Sequence, residues 1–428
     1  MIIENRHVST SLRCIVLLRP VLRYQSAVFL GLWLLCVSSL SLLPGALQAH
    51  AVFSAPKLYR NPGVDLKVDL SPQVTTYVRL GESAYRDAAK GAHSFSRTVD
   101  AFLAQPTESN LQRARQAWIS ARRAYVQTEI FRFNDSPIDA PGTKDRPEGP
   151  EPRLNSWPVN EAGIDSVIGA PKSGIINATE PLTEQLILES NQRNDESDIT
   201  LGWHAIEFLL WGQDLNTQGP GQRPATDFKP GTRSRDNRRE YLRIATHMLA
   251  RDLRFLADVW QRDSAGSYAQ QLLAMDGREA IGRAMQGVTS LVSIELAGER
   301  LAVALDSGSQ EDEHSCFSDT THLDLQGDVL GVANLLFGTY EGQRIGPGLI
   351  ELIRWKSPNL GGRLESAIHR AQAGAAQLHV PFDGLLRLPA DSPERLQAEQ
   401  TVAAMHELAL ALKTSAESLG LQIVVPGV

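Results

Sequence analysis

One eleven-residue run constrains the fold of this chain more than any other: Leu201-Gly202-Trp203-His204-Ala205-Ile206-Glu207-Phe208-Leu209-Leu210-Trp211. Wound as a helix it is apolar almost all the way round, and a helix without a polar face is a buried one. Such a helix needs other elements packed on every side. It carries only two ionisable side chains, His204 and Glu207, whose i,i+3 spacing sets them one turn apart on the same face. A carboxylate buried without a partner costs on the order of several kcal/mol. The pair therefore faces a cation, a metal, an arginine or a hydrogen-bond network.

The elements around this run read as helices. Aromatic residues make up only 6% of the chain, and strand-like alternation is nowhere sustained. Long stretches rich in Ala, Leu, Arg and Glu favour helix instead. Ser71-Pro72 has the form of an N-cap with proline at the first helical position. The helix it opens runs to about Ala104 and stops at Gln105-Pro106. Thr107 and Glu108 start the next, where Leu111, Ala114, Trp118, Ala121, Tyr125 and Thr128 repeat at helical period, with Glu129 and Arg132 at its end. Residues 134–163 hold six prolines and read as a long ordered loop or excursion. A second break spans 216–236. Beyond it helices are expected around 237–262, 267–276, 279–306, 322–337, 359–377 and 393–419. The chain thus reads as an N-terminal helical domain over 52–225, carrying the apolar helix, and a C-terminal helical bundle over 226–428.

Residues 1–51 follow another grammar. Arg6, Arg13, Arg19 and Arg23 lead an uncharged apolar run from Ala27 to Leu43, and Ala49-His50-Ala51 ends it as an A-x-A site, the pattern of a cleaved secretory signal peptide. An uncleaved membrane anchor is the alternative, since the run is close to the minimum for a span. Removing four Arg and one Glu leaves 38 basic and 48 acidic residues, a net charge of −10. That balance excludes nucleic acid as a partner. Cys316 alone survives the leader, so an internal disulfide, cysteine-ligated zinc, iron–sulfur clusters and haem attachment are excluded as well.

Two readings of His204 and Glu207 stay open on spacing alone. An imidazole and a carboxylate one turn apart can ligate one metal ion, with other helices supplying further ligands, or pair as a general base and its orienting group. Equally, they can form a satisfied core pair with a neighbouring arginine. A second polar cluster, Glu311 to His322, packs acids, two histidines, hydroxyls and the cysteine into twelve residues. It reads either as a site or as a polar connection rich in N-cap residues.

At this point the sequence resembles a known family. GWHAIEFLLWGQD (202–214) is similar to the GxHxxE signature of imelysin-like proteins, which include iron-regulated proteins and the insulin-cleaving envelope proteins behind the family's peptidase label. Other blocks agree in order: ARRAYVQTEIFRF (121–133), RLNSWPVNEAGID (153–165), GPGQRPATDF (219–228), EDEHSCFSDTTH (311–322), WKSP (355–358) and PFD (381–383). The resemblance implies an all-α mature protein of two helical-bundle domains with a site at their interface. It implies a periplasmic or outer-membrane-associated location and a role in iron uptake, with envelope iron-transport components as partners. Block by block it carries over His204 and Glu207 as the metal-binding pair. Gly202, Glu129, Arg132, Trp157, Glu161, Asp214, His314, Ser315 and Asp319 follow as further ligand-site residues. Gly202 has a reason of its own, since a glycine lets another backbone or a ligand approach the start of the helix. The implied ligand is a metal ion, iron foremost with zinc and calcium as alternatives, or an iron-bearing ligand. A metal-dependent peptidase is the second function implied, in which a metal-bound water attacks a peptide carbonyl. Against it, HxxE has one histidine fewer than the HExxH helix and no glutamate beside its histidine.

Overall fold

The computed structural model describes residues 68–142, 148–216 and 219–427. The expected signal peptide lies outside them. Nine helices carry the architecture: α1 (Ser71–Ala104), α2 (Glu108–Val126), α3 (Gly202–Trp211), α4 (Arg233–Val259), α5 (Gly277–Ser290), α6 (Thr321–Phe337), α7 (Leu349–Lys356), α8 (Pro358–Ala376) and α9 (Pro393–Ser418). Shorter helical turns fill the connections. The only strands among the described residues form a two-residue hairpin, Thr339–Tyr340 against Gln343–Arg344.

Local chemistry sets several helix ends. Thr107 caps α2 by accepting from the Asn110 N–H, and Ser392 caps α9 by accepting from Arg395, each removing one orphan donor. At α1 the proline lies in the first turn as expected, but the capping position is Leu70 and no side chain fills it. The sequence missed α7, whose eight residues are too few to show a period.

The helices form two bundles. In the first, α1 lies along α2 and α4, and α3 sits against α2 and α4. The inward face of α1 (Tyr77, Val78, Ala84, Tyr85, Ala88, Ala92, Phe95, Val99, Phe102) is buried at helical period. In the second, α5, α6, α8 and α9 pack together, with α7 on α6 and α8. The sequence break near residue 225 precedes α4, which packs on α1 and α3 through Tyr241, Leu242, Ala245 and Leu249. The bundles meet where α2 and its C-terminal end approach α6 and where α1 touches α5. Gly331 makes the first approach feasible, because a Cβ there would lie 2.8 Å from the Gln127 carbonyl oxygen.

Two local features aim side chains at this junction. All ten residues of α3 are buried, as its composition requires. Its first residue, Gly202, has φ +85°, and an added Cβ would lie 2.4 Å from the Leu154 carbonyl oxygen, which accepts the Trp203 N–H at 2.8 Å. The close backbone approach that glycine permits thus ties α3 to the proline-rich excursion. The second feature is in α5, which continues without a break as a π-helix, Leu291–Ala302, before a last α-turn at Val303–Ser307. Five-residue π hydrogen bonding brings Glu295 and Arg300 together, 2.9 Å apart.

Candidate functional site: a buried polar network between the bundles

His204 and Glu207 lie at the centre of a network that draws on both bundles. His204 Nδ1 and Glu207 Oε2 are 3.0 Å apart, and the Arg122 guanidinium reaches His204 Nε2 at 3.2 Å. An arginine can only donate. Nε2 is therefore the acceptor, and Nδ1 carries the proton it gives to Glu207. Burial, Arg122 and His314 push the His204 pKa well below the usual range, so the ring is neutral. Glu207 Oε1 accepts from the Ser318 N–H at 2.9 Å and the Ser318 hydroxyl at 2.7 Å. Burial raises Glu207 to about 8, with Ser318 opposing. The three donors arrayed on it are nevertheless those a carboxylate takes, and they favour the ionised form in the assembled network.

Arg122 is the hub. It stands on α2 between the faces of Trp118 and Trp203, 5.4 and 5.9 Å from their ring centres. Its Nε and Nη2 donate to the two oxygens of Asp324 on α6 at 2.8 and 2.9 Å, and its Nη1 donates to Asn155 at 2.8 Å. This forked pairing is the strong geometry for a guanidinium and a carboxylate. Asp324 Oδ2 also accepts from His314 Nδ1 at 2.9 Å and the Ser315 hydroxyl at 2.6 Å. Despite burial, Arg122 and His314 hold the Asp324 pKa well below the usual range.

His314 differs from His204 in one respect. Its ring is 2% exposed, with Nδ1–H fixed on Asp324, yet Nε2 has no partner among the described residues. Burial, then Arg300, lowers its pKa to about 3 against the pull of Asp324, so the free nitrogen is a lone-pair donor at any physiological pH. The ring meets His204 edge-on at 4.7 Å and Trp157 edge-on at 5.0 Å.

Behind this lies a second arginine centre. Arg300 pairs with Asp328 at 2.7 Å, Glu129 at 2.5 Å and Glu295 at 2.9 Å. Glu129 also accepts from Asn155 at 2.6 Å, which links the two hubs. Burial raises the Glu295 pKa, but Arg300 and Arg132 more than offset it and bring it to about 2. Arg132 stands one step outward, 2.8 Å from Glu151.

Asp214 and Asp319 belong to a separate acidic cluster with Glu313 and Asp383. Neither oxygen of Glu313 or of Asp319 has a hydrogen-bond partner among the described residues. Arg387 lies 3.1 Å from Asp383 and 3.3 Å from Gln310, and Gln310 donates to Asp214. Burial, with Asp214 and Asp383 adding to it, raises Asp319 to about 7. Burial, with Asp383 adding to it, raises Asp214 to about 6. Glu161 lies in neither centre. It accepts from Gln213 and is raised by burial to about 7.

The structure thus brings together His204, Glu207, Glu129, Trp157, His314 and Ser315, with Gly202 at the entry to α3 and Arg132 at the edge. Arg122, Asn155, Asp324, Arg300, Asp328 and Glu295 were missed by the sequence reading. A readable sign existed for two of them, since Asp324 and Asp328 are acids four apart in a helix otherwise rich in Leu and Val. No three His, Cys, Asp or Glu side chains among the described residues converge as a ready metal-coordinating group.

Comparison with known proteins now bears on the same stretch of chain. The profile of the family described as Imelysin matches residues 81–419. Iron-regulated protein A of Synechococcus elongatus is 24% identical over 337 residues, which make up 76% of this chain and 80% of that protein. An iron-regulated protein A precursor from Parabacteroides distasonis has the same fold, with a TM-score of 0.63 at 18% identity over 84% of this chain and 98% of that one. An imelysin-like protein from Psychrobacter arcticum gives 0.57 at 15% identity over 84% and 99%.

Proposed function

This chain belongs to the imelysin family, and on that premise we propose that it is an exported protein of iron handling which takes a metal ion or an iron-bearing ligand into the network around His204, Glu207 and His314. Relatives named iron-regulated protein A, one of them a precursor, support the iron link and export. No described helix is long and apolar enough to cross a membrane.

The observation that carries this reading is the free Nε2 of His314. A neutral imidazole whose other nitrogen is fixed on a carboxylate is the usual form of a metal-ligating histidine. His204 offers no such nitrogen unless Arg122 withdraws. With one free nitrogen and no converging triad, the site suits cargo that brings its own remaining ligands, whether water or a chelator. The peptidase alternative asks for three protein ligands with an open fourth position, and no described side chains join His204 and Glu207 to make that set.

The test is calorimetric titration of the mature protein with anaerobic Fe2+, Zn2+, Ca2+ and ferric citrate. Wild type is compared with His314→Gln, His204→Gln and Glu207→Gln, each checked for helicity. Binding of an iron form by wild type, abolished by His314→Gln and weakened by the other two, is expected. Equal binding by all four proteins overturns the reading.

A further inference from the structure

Outside the network, against Trp157 and Asn155, lies an open cavity of about 370 Å³. Five carboxylates line it, from Glu151, Glu196, Glu295, Glu299 and Asp312, against a single guanidinium, that of Arg132. Arg132 is already committed, 2.8 Å from Glu151 and 3.5 Å from Asp139. The larger cavity between α1 and α4, by contrast, sets Glu82, Asp258 and Asp263 against Arg86, Lys90 and Arg254. Acidity is therefore a property of this mouth and does not follow from the chain's overall charge. Trp157 both lines the cavity and meets the ring of His314, whose Nε2 has no hydrogen-bond partner among the described residues.

We propose that this cavity is the vestibule of the site and that it selects cargo by charge, admitting a hydrated divalent metal cation and repelling anionic chelates. The proposal rests on the reading of the network as a cargo site and deepens it by naming the class of cargo. A concave surface lined by one sign of charge concentrates counter-ions at its mouth and speeds their arrival. An anionic complex such as ferric citrate meets a net negative lining there before it reaches His314. Glu295 lies closest to the network, because the π-helix turns it towards Arg300. Glu196 and Glu299 are exposed on the rim. They shape the field without holding any buried group, and are free to be changed without disturbing the fold.

The charge sign is read directly by the double variant Glu196→Gln/Glu299→Gln, titrated with anaerobic Fe2+ and, separately, with ferric citrate at low and moderate salt. Wild type is expected to bind Fe2+ more tightly than ferric citrate. The double variant is expected to bind Fe2+ about threefold to tenfold more weakly, the larger change at low salt where screening is least. His314→Gln should lose Fe2+ binding with the rim intact. If ferric citrate is instead the tighter ligand and neutralising the rim strengthens it, the charge selection is wrong while an iron cargo site stands. Unchanged Fe2+ affinity in the double variant at low salt likewise removes the vestibule role. If wild type binds neither form, the underlying site reading fails along with the inference.

Discussion

The network around Arg122 and the cluster around Asp319 are both largely buried, both acidic, and adjoin in the chain, where Ser318 of the first precedes Asp319 of the second. In the first, every carboxylate meets a guanidinium, an imidazole or a hydroxyl, and Asp324 is held well below its usual pKa. In the second, Arg387 pairs with Asp383 alone among the four carboxylates, and Asp319 and Asp214 rise to about 7 and 6. Burial acts the same way on both groups; the difference lies in the supply of donors. The groups that dominate the two regions therefore answer to pH with opposite sign. Acid weakens the network through His204 and His314, which are neutral in the fold, and through Asp324, which is ionised there, while Glu207, raised by burial, acts the other way. Raising the pH from about 4 to 7 weakens the cluster, where Asp319 and Asp214 hold protons in the folded state that they release when unfolded.

The largest effect expected from breaking this contrast is at Asp324. Asp324→Ala leaves Arg122 buried without its main counter-charge and should cost about 3–5 kcal/mol in urea unfolding. The double change Arg122→Met/Asp324→Leu should restore much of that loss. A cost below about 1 kcal/mol for Asp324→Ala would show that the pair does not hold the bundles together. Next is the acid limb. His314 binds a proton only near pH 3 when folded, but near 6.5 when unfolded, so stability falls as pH drops below 6.5. One such histidine accounts for about 1.5 kcal/mol between pH 6.5 and 5. His314→Gln should flatten the stability–pH curve by that amount, and an unchanged slope would contradict the assignment.

The limb of opposite sign is smaller. Asp319 takes up its proton near 7 in the fold, so its penalty grows from about pH 4 to 7 and is constant above. After allowance for solvent screening, Asp319→Asn should gain about 1 kcal/mol at pH 8 relative to pH 5, in chelator-treated buffer. A variant equally affected at both values would break the comparison. Smallest of all is the surface pair Arg370–Glu407, where both side chains are more than half exposed. Arg370→Ala should change stability by no more than about 0.5 kcal/mol, and that little should vanish in high salt.

Much of the fold was legible because helix ends are local events. Thr107 caps through its own side chain, Gln105-Pro106 marks a stop directly after the observed end at Ala104, and the expected start at 393 is the observed one. His204 and Glu207 stood out for a physical reason, as the only ionisable side chains on a helix with no polar face. Arg122 did not, because α2 carries other arginines and nothing local distinguishes the one that turns inward between Trp118 and Trp203. Glu295 and Arg300 were hidden for another reason. Their meeting depends on π geometry, and the sequence Leu291–Ala302 has the composition of an ordinary α-helix. Only packing against α6 and the end of α2 reveals the difference.

That π segment makes the count of residues a determinant of chemistry. Each residue of a π-helix advances through a smaller angle than in an α-helix, so twelve of them shift the azimuth at which every later side chain leaves the axis. Deleting one residue from Leu291–Ala302 would let the helix regain α pitch and swing Arg300 away from Glu295, even if no residue named in the site were altered. Two proteins with identical site residues but a helix differing in length by one would then hold different charge at the same place. The spacing along this helix sets the local charge as much as any side chain upon it.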